Sequence, residues 1–451
     1  MSKRERVGLI FGTVIAAAVL SSLTSVAGGQ SSEPSSDEYC GNYRLDNDHQ
    51  IGIDRFIMDG GERVLLFSDY ESGVVRRMFS DGASQFVVGP GFNQGGPAEL
   101  QLDVVRAHDE VTGMTIRTPD GKSERAEKVP LRTEAVSFEG DQATLAGTLI
   151  VPATKGRRPA VVLLHGSGPL TRYSFGPYPH FFTSLGLAVL IYDKRETGSS
   201  TGIRTDASSG ANMRATFYPD ELADDALAAL RYLQKRADID PHRIGFWGSS
   251  EGGMLATQVA ARSNDVAFAI DSSGFMGPLW QTLRYQVITI LRSQGVSDEG
   301  IEKELALVDL WFDVARTGKG WDELQQRKKE VVRASGSWFY QSRDKQSLRE
   351  LRWEWDHMLS FDPLRALANV HCPVLGVFGE LDPYTDASAA SKDMRRVLSE
   401  AGHHDFMIKI FPHAGHSLSL MPEKARMAPG VFETLGRWLR NHGMAEPSQA
   451  L

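Results

Sequence analysis

The residues best suited to chemistry lie in Gly248-Ser249-Ser250-Glu251-Gly252, a Gly-x-Ser-x-Gly pentapeptide. It stands between the apolar run Ile244-Gly245-Phe246-Trp247 and the helix-like run Met254 to Ala260. A strand, a sharp turn and a helix would lift the central serine, Ser250, out of the backbone as an exposed nucleophile. Glycines two positions to either side would let neighbouring chain pass close by. A serine hydroxyl attacks poorly at neutral pH, so it needs a base in hydrogen-bond reach, a group to orient that base, and donors for the oxyanion.

Each of these has a candidate. The base is His416 in His413-Ala414-Gly415-His416-Ser417, with His413 as competitor; Gly415 gives the loop the freedom to aim His416 across to Ser250. The acid is Asp382 in Gly379-Glu380-Leu381-Asp382-Pro383; the other reading is an Asx turn before the proline, and one side chain could do both. Glu380, Asp386 and Asp271 are alternatives. The oxyanion donors are backbone N–H groups: that of Glu251, after the nucleophile, and one from Gly166 or Ser167 in His165-Gly166-Ser167-Gly168-Pro169. His165 is read as a prop for that loop. No Cys/His cluster has zinc spacing, and no metal or cofactor is expected.

Around these residues the text alternates between strand and helix, the pattern of an α/β fold with a mostly parallel, doubly wound sheet. Ala160 to Leu164 and Leu187 to Tyr192 are continuous apolar runs suited to strands buried on both faces. Val136 to Phe138 and Leu145 to Val151 read as a hairpin leading into the sheet. Pro219-Asp220 opens an amphipathic helix, and Asp240-Pro241 ends its connection to the elbow strand. Val266 to Ile270, Pro373 to Phe378 and Phe406 to Phe411 are the later strands, and Val431 to His442 is a closing helix.

Residues 274–370 are helical, charged and rich in aromatic side chains, among them Trp280, Trp311, Phe312, Trp321, Trp338, Phe339, Trp353 and Trp355. An insertion between two strands of such a sheet lies over their carboxyl ends as a cap. Its aromatics either line an apolar cleft or form the cap's own core. Ahead of the α/β segment, residues 39–132 carry short alternating runs broken by Asp-Gly turns, the text of a small antiparallel β sandwich or barrel. The catalytic domain is expected over residues 133–445.

The first 27 residues follow the order of a secretory signal: Lys3, Arg4 and Arg6, an uncharged apolar run from Val7 to Leu20, then small residues ending at Ala27. Export to the periplasm or medium is the expectation, leaving no stable membrane span; an uncleaved anchor is the alternative. Residues 28–38 read as a linker. With 451 residues, 41% hydrophobic, the chain can bury a large core, and its net charge of -8 offers no basic face for nucleic acid. The two cysteines, Cys40 and Cys372, fall in different expected domains, either bridged or as free thiols. Nothing in the text sets an oligomeric state.

Taken together, Gly248 to Gly252, the His165 to Pro169 loop, Tyr192-Asp193-Lys194-Arg195 with Gly198 and Ser200, Asp382 and His416 resemble the α/β-hydrolase serine esterases. More narrowly they resemble exported carboxylesterases with an N-terminal β domain. The order Ser250, Asp382, His416 is that of the same fold. The resemblance implies an α/β-hydrolase fold with a helical cap, and a small-molecule ester cleaved through an acyl-enzyme on Ser250. A prolyl-oligopeptidase-type serine peptidase shares the catalytic domain, but the β text here is far shorter than a propeller and shows no repeat. A non-catalytic binding protein on the same scaffold is the third reading. One departure concerns Glu196, where the group often has glycine.

Overall fold

The computed structural model describes residues 36–45, 49–58, 61–82, 84–202, 219–335 and 347–445. The signal segment 1–27, most of the linker, and Trp338 and Phe339 lie outside them.

Eight antiparallel strands come first: β1 (Gly41–Leu45), β2 (Gln50–Ile57), β3 (Arg63–Asp69), β4 (Val75–Ser80), β5 (Gln85–Val88), β6 (Leu100–Ala107), β7 (Glu110–Arg117) and β8 (Ser123–Lys128). Each pairs with the next, and β1 pairs with β8 through Tyr43 opposite Lys128, so the sheet closes into a barrel. Alternate residues point inward, and Tyr43, Ile53, Phe67, Met78, Leu102 and Met114 fill the interior. Full closure leaves no unpaired sheet edge in this domain.

The hairpin β9 (Leu131–Gly140) and β10 (Ala143–Pro152) leads into the second sheet. There follow β11 (Arg158–Leu164), α1 (Tyr178–Ser184), β12 (Ala188–Tyr192), α2 (Pro219–Gln234), β13 (Ile239–Ser249), α3 (Glu251–Arg262) and β14 (Ala269–Ser272). The cap comprises α4 (Leu279–Ser293), α5 (Asp298–Thr317), α6 (Trp321–Ser335), α7 (Leu348–Glu354), a π-helical turn at Trp355–Leu359 and α8 (Leu364–Leu367). The chain closes with β15 (Val374–Gly379), α9 (Ala387–Glu400), β16 (Phe406–Phe411) and α10 (Val431–Asn441).

The strand order is β16-β15-β14-β13-β11-β12-β10-β9, parallel from β16 to β12 and antiparallel at β10 and β9. Every residue of β11 and β12 is buried, which is why Ala160 to Leu164 and Ala188 to Tyr192 read as unbroken apolar runs. One face packs under α2, α3 and α9 through Leu222, Ala226, Leu255, Val259 and Met394. The other packs under α1 and α10 through Phe181, Phe182, Leu435 and Trp438, and the barrel's outer residues Val64, Leu66 and Val75 join that same buried cluster. Polar ties fix the seam between barrel and sheet: His180 Nδ1 lies 2.6 Å from Asp54 Oδ1, and Asn42 Nδ2 donates to Thr183 Oγ1 at 2.8 Å.

Two boundaries differ from the sequence reading. β13 begins at Ile239, ahead of Pro241, and its ladder with β11 jumps from Arg158 opposite Ile239 to Ala160 opposite Ile244. Pro241 has no N–H to give the ladder, so the strand is interrupted there rather than started. The β14 ladder starts at Ala269, after a lead-in tied to β13 only by Ala267 N–H to Ile244 O (2.8 Å) and Phe246 N–H to Phe268 O (3.0 Å).

The cap aromatics divide. Trp311 and Phe312 are buried with Leu283, Val308 and Leu351 in the cap's own core. Trp280 rests edge-on against Phe312 at 5.7 Å and borders a groove of about 440 Å³ shared with Tyr285, Ile288 and Asp386. Trp353 stacks on His357 at 4.5 Å.

Candidate active site

Ser250 sits between β13 and α3 with φ 60° and ψ -122°, a backbone conformation that side chains rarely adopt and that costs on the order of 1–3 kcal/mol. Two glycines make the turn possible. A Cβ on Gly248 would stand 2.0 Å from Gly252 O, and one on Gly252 would stand 2.1 Å from Leu164 O. The turn is held from the side by Ser250 N–H donating to Ser272 O at 2.8 Å.

The ends of β13, β14, β15 and β16 lie in register, with Ser249 opposite Ser272, Ser272 opposite Val377, and Gly379 opposite Phe411. The loops carrying Ser250, Asp382 and His416 therefore leave the same edge of the sheet. The elbow and the acid loop are two strand spacings apart, roughly 10 Å, a gap that a histidine from the next loop can bridge.

Asp382 is buried, and its two oxygens have separate duties. Oδ1 accepts from the N–H groups of Tyr384 (2.8 Å) and Thr385 (3.0 Å), while Oδ2 lies 2.7 Å from His416 Nδ1. The Asx turn and the contact to histidine thus coexist on one side chain. The acid and histidine loops are zipped together by Leu381 N–H to Ala414 O (2.8 Å), and a Cβ on Gly379 would collide with Gly415 O at 2.2 Å. The ring of Tyr384 meets His416 edge-on at 5.0 Å.

The alternatives are engaged elsewhere. The His413 ring is 78% exposed, and Glu380 accepts from the His413 backbone N–H at 2.9 Å. Asp386 caps α9 by accepting from Ala389 N–H at 3.0 Å. Asp271, fully buried, turns its Oδ1 toward Gly274 N–H (2.7 Å) and α3, where a Cβ on Gly253 would come within 2.2 Å of it. Burial pushes its carboxyl up to about 7.

The three amides expected to receive an oxyanion lie beside the elbow. A Cβ on Gly166 would stand 3.5 Å from Ser250 Cβ, and Glu251 opens α3, where the first N–H groups of a helix lack intrahelical acceptors. Among the described residues, the N–H groups of Gly166, Ser167 and Glu251 donate to no protein acceptor. His165 packs its ring against Phe175 (4.5 Å) and Tyr192 (5.6 Å) behind this loop. Burial, and then the nearby Lys194 charge, drive its imidazole down to about 3, so it stays neutral.

Sequence reasoning left three contributors without a role. Lys194 and Glu251 form a buried ion pair at 2.6 Å directly behind the Gly166-Ser167 loop. The cap reaches the acid loop through α4: Tyr285 Oη donates to Asp382 O (2.9 Å), Gln286 Nε2 to Tyr384 O (3.1 Å) and Thr289 Oγ1 to Pro383 O (2.6 Å). The only signal for α4 is its polar residues at helical spacing, Tyr285, Gln286 and Thr289, amid apolar ones. Asp193 anchors the loop by accepting from Arg172 N–H (2.8 Å) and Nη2 (2.7 Å). Glu196 occupies φ 59°, the left-handed backbone that glycine adopts more readily. Among the described residues no group of three His, Cys, Asp or Glu side chains is placed to hold a metal, and no helix is long and apolar enough to cross a membrane.

A mostly parallel sheet, a strained serine elbow and a capping insertion after β14 define the architecture of the α/β hydrolases. Residues 161–426 match the alpha/beta hydrolase family, and the chain belongs to it. It is 28% identical over 169 residues to the quorum-quenching protein AidA of Acinetobacter baumannii, covering 38% of this chain and about half (53%) of that relative's length. To esterase EstD of Thermotoga maritima it is 26% identical over 333 residues, 69% of this chain and 70% of that one. Among solved structures, an esterase from Pyrococcus furiosus aligns with a TM-score of 0.44 at 16% identity, over 69% of this chain and 91% of that chain.

Proposed function

We propose that this protein is a serine hydrolase that cleaves carboxylic esters through an acyl-enzyme on Ser250. The observation that carries the reading is the 2.7 Å contact of His416 Nδ1 with buried Asp382, on loops that leave the same end of the sheet as the elbow presenting Ser250. The likeness to esterase EstD over 69% of the chain supports the choice of esters.

Asp382 fixes the proton of His416 on Nδ1 and leaves Nε2 as the base. Ser250 Oγ attacks the ester carbonyl carbon as its proton passes to Nε2. The carbonyl oxygen becomes an oxyanion held by backbone N–H groups of Glu251 and of the Gly166-Ser167 loop. The C–O bond to the alcohol breaks as Nε2 returns the proton to it. Water, deprotonated by Nε2, then attacks the acyl-enzyme, frees the acid and restores Ser250.

The test is labelling of the full-length chain by a fluorophosphonate and turnover of short-chain nitrophenyl esters, beside Ser250→Ala. The esterase reading expects both in wild type and neither in the variant. Equal rates in the two proteins would remove it. Faster cleavage of aminoacyl-proline amides than of esters would instead make the protein a peptidase.

A further inference from the structure

Resting on the esterase reading, we infer that the buried Lys194–Glu251 pair is a positioning clamp that turns the Gly166–Ser167 peptide so that the Ser167 N–H is the second oxyanion donor.

The clamp has three contacts. Lys194 Nζ donates to Gly166 O at 3.0 Å and to Glu251 Oε1 at 2.6 Å, and Ser167 Oγ donates to Glu251 Oε2 at 3.1 Å. Lys194 and Glu251 are 4% and 3% exposed, so the bond between them forms where water cannot compete for it. In a planar trans peptide the C=O and the following N–H point in opposite directions. With Gly166 O drawn back onto Lys194, the Ser167 N–H is aimed away from the ammonium. This peptide borders the nucleophile, since a Cβ on Gly166 would lie 3.5 Å from both Ser250 Cβ and Ser249 O.

The other peptide of the loop is turned differently. A Cβ on Gly252 would lie 2.7 Å from His165 O, so the carbonyl of the His165–Gly166 peptide faces the elbow helix and its N–H faces away from it. Of the two loop amides, Ser167 is thus the donor. The same geometry couples the two halves of the oxyanion site: Glu251 supplies one N–H from its backbone and fastens the other through its side chain. Lys194 comes from the end of β12 and is itself tied by its N–H to Leu170 O at 3.2 Å, so three separate segments converge on one peptide plane.

The experiment uses the full-length chain and four variants, one of them the Ser250→Ala control. Lys194→Met/Glu251→Met removes both charges together, so no unpaired ion is left buried and the fold is kept. It should lose about 10²-fold in kcat, the scale of one oxyanion donor, with KM nearly unchanged. Affinity for an alkyl boronic acid, which mimics the tetrahedral intermediate, should fall in proportion. The midpoint of the kcat/KM pH profile should stay in place, because His416 is untouched. A purely structural pair would lower the melting temperature without this split between kcat and KM. The exposed position 167 gives a second arm. Ser167→Pro deletes the N–H and Ser167→Ala keeps it, so the proline variant should be at least tenfold slower than the alanine variant. A folded double-methionine variant within threefold of wild type in kcat and boronate affinity overturns the clamp. Equal rates for the proline and alanine variants overturn the donor assignment. A wild type no faster than Ser250→Ala shows that the esterase reading itself has failed, and the clamp with it.

Discussion

Replacing Asp382 by asparagine isolates the orientation of the base. In the wild type, Oδ1 accepts from two backbone N–H groups and Oδ2 faces His416 Nδ1. Asparagine can keep the turn only by placing its amide oxygen where Oδ1 was, which aims its NH2 at Nδ1. That ring nitrogen must then accept, and the imidazole proton moves to Nε2, the atom that takes the Ser250 proton in the proposed mechanism. Flipping the amide restores the tautomer but gives up two hydrogen bonds to the turn, each worth about 1 kcal/mol, and sets NH2 against two N–H donors. The preferred arrangement is therefore the inactive tautomer. A wrong tautomer at an aspartate in this role lowers kcat by about 10⁴-fold, equivalent to roughly 5 kcal/mol of barrier. Folding should weaken by no more than about 1–2 kcal/mol, because the turn survives. The assay is kcat on a nitrophenyl ester, with urea unfolding as the control for structure. Folded Asp382→Asn within tenfold of wild type, with Asp271→Asn inactive in its place, would refute the reasoning and move the acid to β14.

Asp271 makes a prediction about pH. Its folded carboxyl is raised from near 3.8 to about 7, so the folded chain holds a proton that the unfolded chain has released. The resulting stability is fully present below about pH 4 and is lost as pH rises through about 7. Asp271→Asn should remove up to about 4 kcal/mol of that pH dependence, read from urea midpoints at pH 4 and 8; parallel curves for the two proteins would contradict it. Gly252→Ala sets a Cβ 2.1 Å from Leu164 O, so the elbow must shift, and a loss of about 2 kcal/mol or more together with most fluorophosphonate labelling is expected. Unchanged labelling would show that the close approach is dispensable. Tyr285→Phe removes the hydroxyl that donates to Asp382 O and should cost about 1 kcal/mol, with a several-fold fall in kcat; an unaltered kcat would show that α4 does not help to hold the acid loop. Burial pushes the thiols of Cys40 and Cys372 up to about 12, and among the described residues no disulfide joins them, so the folded chain should react slowly with Ellman's reagent at pH 8 and melt identically with and without reductant.

Much of the fold is legible because its signals are local. β11 and β12 read as buried parallel strands since Ala160 to Leu164 and Ala188 to Tyr192 are unbroken apolar runs, and Phe406 to Phe411 falls on β16 residue for residue. Strand ends are less legible: Pro241 looks like a terminator, yet the tertiary ladder carries β13 past it on both sides. The cap's aromatic residues show the same limit. Helical spacing identifies Trp311 and Trp280 alike as packing residues, but only the placement of α5 against α4 buries the former and leaves the latter beside a groove.

The sequence by itself determined the candidate residues for reaction, their chain order and the alternation of strand and helix, because a glycine-flanked serine, a histidine loop and an acid after a strand are one-dimensional patterns. It could not choose among Asp382, Asp271, Glu380 and Asp386 on geometry, since each stands at or just beyond the end of a strand. Which of them meets a histidine is decided by the tertiary structure: strand register sets Asp382 against His416, while Asp271 is turned under α3. The Lys194–Glu251 contact is likewise decided only in three dimensions. Fifty-seven positions separate the two residues, and only the adjacency of β12, β11 and β13 in the sheet brings lysine, glycine carbonyl and glutamate to one point.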